Sequence, residues 1–206
     1  MVLIYLWQIF SVDAPPLAND KFHFIKKFIG FENKSNYISL ENWVLEYADS
    51  DDNNLILQMD IEGGEYDVLI ETNREILKRF RILVIEFHNF QSIFSSTGFT
   101  LINACFMKIK QDFEIVHIHP NNNKSLVEYE NFKAPPVLEI TFLRKDRIKD
   151  KKETKHFPHE LDSKNTPSLN DVILPECFYN TKVHYSLIKF HLKLLFNFLI
   201  MRKLTI

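Results

Sequence analysis

Glycine is the telling scarcity: Gly30, Gly63, Gly64 and Gly98 are the only four in 206 residues. Loops that cradle phosphates and nucleotides use glycine to bring the backbone against a ligand. No such loop precedes residue 30, and the adjacent pair at 63–64 stands out. Cysteine is almost as thin, with Cys105 and Cys177 and no CxxC. This excludes a disulfide framework and fits a reducing, cytoplasmic compartment. Charge of either sign is not in excess: 25 Lys and Arg face 27 Asp and Glu, for a net charge of -2. That balance argues against nucleic acid as a partner. The opening "MVLIYLWQIF" is about half the roughly 20 residues of a membrane span. It has no basic n-region, and "SVDAPP" after it makes a poor cleavage site. It reads as a buried strand.

What the chain has in quantity is phenylalanine, 19 in all, and short apolar runs. "LIYLWQIFSV", "NLILQMDI", "RILVIEFH" and "PVLEITFLRK" read as interior strands, joined by "FEIVHIH". Continuous apolarity predicts strands covered on both faces, as in a parallel α/β sheet. Helical pieces fall between them. "SLENWVLEYA" offers Ser39 as N-cap with Asn42 three residues on, and "GEYDVLIETNREILKRF" reads as one helix. The alternation predicts an α/β fold.

From residue 146 the character changes. "KDRIKDKKETK" is a charged linker, and "HFPHELDSKNTPSLNDVILPE" is rich in turn formers and predicts an irregular surface strap. The predicted division is a domain over 1–145, linker and strap over 146–181, and a terminal apolar and basic helix over 182–206. That helix has three uses open to it: packing on the sheet, pairing in a homo-oligomer, or peripheral membrane contact through residues 183–203.

Chemistry gathers at strand ends. One run finishes in Asp60-x-Glu62, the next in Glu86-x-His88, and a third in His117-x-His119 followed by Asn121 and Asn122. Spacing of i, i+2 places each pair on one side of an extended chain. Open α/β sheets bind ligands beyond their carboxyl edge. Each residue alone has a plainer reading: Asp60 as a helix cap, Glu62 and Glu65 as charges meeting a helix dipole, His117 as a satisfied core residue, the asparagines as a turn. The set predicts acid–base chemistry by Asp60, Glu62, Glu86, His88 and His119, converging on one cavity. A divalent metal at Asp60, Glu86 and His88 is the other use of such donors. Asn121 and Asn122 suit a polyhydroxylated acceptor, and Gly63 permits close backbone approach.

"LQMDIEGGEYDVL" followed by "FRILVIEFHNF", "FEIVHIHPNNN", "PPVLEITFLRKD" and "FPHELDSKNTPSLNDVIL" resembles the FkbM-type methyltransferases in a bacterial branch. The resemblance implies a Rossmann-like sheet and S-adenosylmethionine-dependent O-methyl transfer to a sugar, surface glycan or natural product. It places Asp13 on the cofactor ribose and Gly63 near the cofactor. It also implies a first strand and glycine-rich loop for which the chain has no counterpart. The expectations are therefore an N-terminally incomplete fold, an open apolar edge in the sheet, and weakened cofactor binding. The segment before the D-x-E-G-x-E strand would hold the third strand and a helix. The rival expectation is a non-catalytic remnant that binds a ligand or partner. A membrane-peripheral location is the alternative to a cytoplasmic one.

Overall fold

The structure, a computed structural model, describes residues 3–7, 25–30, 36–130, 132–154, 157–179 and 202–205. Asp13 and residues 182–201 lie outside the described residues, as does any contact they make. The chain runs through β1 (Leu3–Trp7), β2 (Phe28–Gly30), β3 (Tyr37–Ser39), α1 (Leu40–Tyr47), β4 (Leu55–Asp60), α2 (Glu65–Glu71), α3 (Arg74–Leu77) and β5 (Phe80–Phe87). It continues through α4 (Ser96–Ile109), β6 (Phe113–Pro120), β7 (Val127–Tyr129), β8 (Phe132–Ala134), β9 (Leu138–Arg144), β10 (Asp150–Glu153) and β11 (Arg202–Thr205).

The main sheet has the order β1-β4-β5-β9-β6. β1, β4 and β5 are parallel, whereas β9 is antiparallel to both of its neighbours. The expectation of a parallel sheet is thus corrected to a mixed one. Apolar runs report burial and carry no direction. The hairpin of β7 and β8 leads the chain from β6 back along the sheet as β9, between β5 and β6. The carboxyl ends of β4, β5 and β6 therefore share one edge with the amino end of β9.

Leu3–Trp7 pairs in parallel along β4, from Leu3 beside Ile56 to Trp7 beside Asp60, and is the end strand of this sheet among the described residues. The expected third strand takes a different place. β2 and β3 pair with each other in a separate two-stranded sheet. Residues 202–205, assigned to the terminal helix, are instead a strand antiparallel to β10, which lies in the expected linker.

One face of the sheet carries the core. Leu57, Met59, Leu83, Ile85, Phe87 and Phe142 are fully buried there. Helices α2 and α4 cover them, with ring centroids 5.3 Å apart for Tyr66 and Phe87 and 5.1 Å for Phe87 and Phe106. Each such phenylalanine contributes about 1.5–3 kcal/mol by leaving water. α4 was not anticipated from the sequence. It is capped by Ser95, whose hydroxyl accepts from Gly98 N–H at 3.1 Å. A side chain at Gly98 would put its Cβ 2.2 Å from the Ser92 carbonyl oxygen, so glycine is required. The α1 cap is as expected, with Ser39 Oγ accepting from Asn42 N–H at 3.1 Å.

The single helix expected over residues 64–80 is two. The Thr72 hydroxyl donates to the Val68 carbonyl at 2.6 Å, and Asn73 then caps α3 by accepting from Glu75 N–H at 2.9 Å. Side-chain bonding to the local backbone competes with helix continuation. Among the described residues no helix is long and apolar enough to cross a membrane.

Candidate active site at the carboxyl edge

The opposite face of the sheet carries a polar row. Cross-strand register sets Glu86 opposite Glu139 and Glu139 opposite His119, with Asp60 ending the neighbouring strand. Directly opposed residues point to the same face. Beyond this edge lies a cavity of about 380 Å³ lined by Asp60, Glu62, Glu86, His88, Asn121, Asn123, Lys124 and Val137. Four of the five expected acid–base residues therefore meet in one place, and His119 does not line it.

The turns after β4 and β5 build the site. Glu62 and Gly63 both adopt positive φ, 58° and 116°, and so does Asn89, at 54°, immediately after His88. Non-glycine residues hold this conformation at a cost of order 1 kcal/mol or more, and such strain clusters at functional sites. The two turns pack together: a Cβ on Gly63 would lie 3.2 Å from Asn89 Nδ2. Gly63 serves this turn and is not among the cavity-lining residues.

Glu65 is the residue whose role the sequence hid. It opens α2, where a negative charge meets the helix dipole as expected. It is also completely buried, and its carboxylate folds back over the turn. Glu65 Oε1 accepts from Ile61 N–H at 3.2 Å and Gly63 N–H at 3.0 Å. The same oxygen stands 3.0 Å from His88 Nδ1. The i, i+2 and i, i+4 spacing within one turn could have suggested the backbone bonds, but the pairing with His88, 23 residues away, could not be seen.

His88 is thereby held with Nε2 toward the carboxylates, 3.3 Å from Glu62 Oε2 and 3.9 Å from Asp60 Oδ1. Burial works against its protonation, but the bond to Glu65 and the charges of Glu65, Glu62 and Glu86 outweigh it and raise its pKa. The pKa of Glu86 is also raised, chiefly by burial and further by the Asp60 and Glu139 charges. The amide of Asn121 opposes that rise by donating to Glu86 Oε1 at 2.8 Å. Asp60, Glu62 and His88 each bring a donor atom within 4.8 Å of the others, a spacing that a divalent ion could use. The expected metal set of Asp60, Glu86 and His88 thus finds Glu62 in the place of Glu86.

The two asparagines divide. Asn121 lines the cavity and bonds to Glu86 there. Asn122 does not line the cavity: its Nδ2 donates to the Thr166 carbonyl at 2.9 Å and its Oδ1 accepts from Thr166 N–H at 2.8 Å. It fastens the strap. The strap also buries Leu174 and Phe178, the latter 6.1 Å from Phe90 between ring centroids. His119 and His117 lie under the same strap, beside Asp162. Lys124 and Asn123 were not anticipated as lining residues, since nothing in a turn sequence distinguishes which of its side chains turn inward.

Residues 39–115 match the family model described as the methyltransferase FkbM domain. The match runs from the cap of α1 into β6 and contains both turns of the site. It supports a methyltransferase of that kind, a class that in general uses S-adenosylmethionine. No curated protein and no solved structure matches the chain.

Proposed function

We propose that this chain is an FkbM-like O-methyltransferase of a bacterial type, acting in the cytoplasm on a hydroxyl of a sugar, surface glycan or natural product. The observation that carries the proposal is the Glu65–His88 pair opening onto the carboxylate-lined cavity, within the segment similar to the FkbM domain.

The cavity suits the cofactor of such a reaction. S-adenosylmethionine carries positive charge on its sulfonium and ammonium groups, and the cavity offers carboxylates from half-buried Asp60 and Glu86 and from exposed Glu62. When bound it supplies a methyl group on a positively charged sulfur. The chain's own residues then have two tasks, to align the acceptor hydroxyl and to remove its proton. His88 Nε2 takes the proton. Glu65 holds the imidazole with Nε2 outward and stabilises the imidazolium that forms, as a buried carboxylate does for a catalytic histidine elsewhere. Asp60 and Glu86 orient the reactants, and Asn121 keeps Glu86 in place.

The test uses S-adenosylmethionine with a deuterated methyl group, offered to the full chain with a panel of glycans and polyhydroxylated small molecules. Mass spectrometry should find labelled product. Asp60→Asn should lower its yield about 100-fold while stability changes by less than about 1 kcal/mol. Equal product from Asp60→Asn and wild type would remove Asp60 from the reaction, and no product from any acceptor would count against methyl transfer.

A further inference from the structure

The second histidine pair sits outside the cavity and is not used by the proposed reaction. His117 and His119 are two residues apart on β6, so both project from the same face of the sheet. The strap places Asp162 over them. His117 Nε2 is 2.8 Å from Asp162 Oδ1, and His119 Nδ1 is 3.4 Å from Asp162 Oδ2. One donor atom from each residue lies within 4.8 Å of the others.

His119 makes this more than a salt bridge. It is only 6% exposed, and both ring nitrogens are buried without a hydrogen-bond partner among the described residues. The 3.4 Å approach to Asp162 brings the two side chains close without hydrogen-bond geometry. Buried polar groups are almost always satisfied, and an orphaned pair of imidazole nitrogens calls for an occupant. Asp162 is itself pre-set. Its Oδ2 accepts from His159 N–H at 2.7 Å, and its own N–H donates to the His159 carbonyl at 2.9 Å, closing a tight turn that presents the carboxylate. Ordered support of this sort is what metal ligands receive.

We propose that His117, His119 and Asp162 form a binding site for a divalent transition ion, zinc being the best fit, that ties the strap to the sheet. Two imidazoles and one carboxylate are the ligand set that suits zinc and its first-row neighbours and does not suit calcium or magnesium. Bonds of about 2.0–2.2 Å in a tetrahedron separate ligand atoms by roughly 3.3–3.6 Å. The His119 Nδ1–Asp162 Oδ2 separation falls in that range, whereas His117 Nε2 approaches the other carboxylate oxygen, Oδ1, more closely, so side-chain torsion must bring both imidazoles onto one ion. Three protein ligands leave one position for water. This inference is independent of methyl transfer, because none of the three residues lines the cavity.

The experiment is titration of metal-stripped full chain with Co²⁺ and with Zn²⁺, followed by absorption spectroscopy, bound-metal analysis and thermal melting. The wild type should bind one ion that Asp162→Asn and His119→Gln each fail to hold, with tetrahedral Co²⁺ absorption and a rise in Tm on adding Zn²⁺. Asp60→Asn should keep that ion. Circular dichroism shows whether each variant is folded, and the wild-type titration decides the matter if one is not. Absence of binding in the wild type would overturn the proposal. So would loss of the ion in Asp60→Asn with retention in folded Asp162→Asn, since the ion would then belong to the cavity.

Discussion

Glu65 Oε1 lies 3.0 Å from His88 Nδ1, and the same oxygen accepts two backbone N–H groups from the turn that follows β4. One buried carboxylate thus joins the ends of two adjacent strands. It fixes the turn that carries Glu62 and the imidazole that faces it. Fold and site meet at this atom.

Removing that carboxylate should be felt in stability first. Glu65→Ala leaves two backbone donors and a half-buried histidine without their acceptor. The expected loss is about 3 kcal/mol, read as a lower midpoint in urea unfolding with an unchanged slope. A loss below about 0.5 kcal/mol, the range of ordinary surface substitutions, would show that the pairing is not maintained in solution.

The raised pKa of His88 has two consequences of opposite sign. The folded state holds the His88 proton more tightly than the unfolded chain does. The stability this provides is complete below the ordinary histidine value of about 6.5 and is lost as pH rises through the folded value. Activity runs the other way, because the base must be neutral. Turnover should rise with pH through a midpoint above about 6.5. In Glu65→Gln that midpoint should move down, since burial then acts with less opposition. A pH–rate profile unchanged by Glu65→Gln would separate the two residues.

Glu86 should show a trade between stability and function. Its raised pKa means that ionising it in place is unfavourable, so its contribution to stability falls as pH rises from about 4.3 through the folded value. Glu86→Gln keeps an acceptor for Asn121 and removes the buried charge. At pH 7 its unfolding midpoint should be no lower than that of wild type. Its turnover should fall by roughly ten- to a hundredfold, the worth of one charge-assisted hydrogen bond. A destabilised variant with full activity would contradict both halves.

The sequence announced much of this through local signals. The apolar runs placed β4, β5, β6 and β9 to within a residue or two, and Ser39 marked the start of α1. The i, i+2 pairs at strand ends led to Asp60, Glu62, Glu86 and His88, which do converge. Two failures are local, the missed α4 and the break at Thr72 and Asn73, and the rest are long-range. The antiparallel direction of β9 is set by the hairpin before it, and an apolar run is the same read either way. His119 falls outside the cavity because β9 lies between β5 and β6, an insertion that the apolar runs do not reveal. Asn122 and Asp162 depend on a strap more than 40 residues away along the chain from the groups they meet, with no periodicity to show where it lands. Glu65 looked like a helix-dipole residue because its partner His88 lies on another strand end.

The central claim is that His88, held by Glu65, faces the place where a cationic methyl donor binds. Nuclear magnetic resonance of the His88 imidazole, titrated with S-adenosylmethionine in the full chain, tests it directly. The account predicts a saturable shift of the His88 ring signals and a lower His88 pKa, because a positive charge arrives beside it. Asp60→Asn should weaken the response. His88 signals and pKa that stay unchanged at millimolar S-adenosylmethionine would contradict the account.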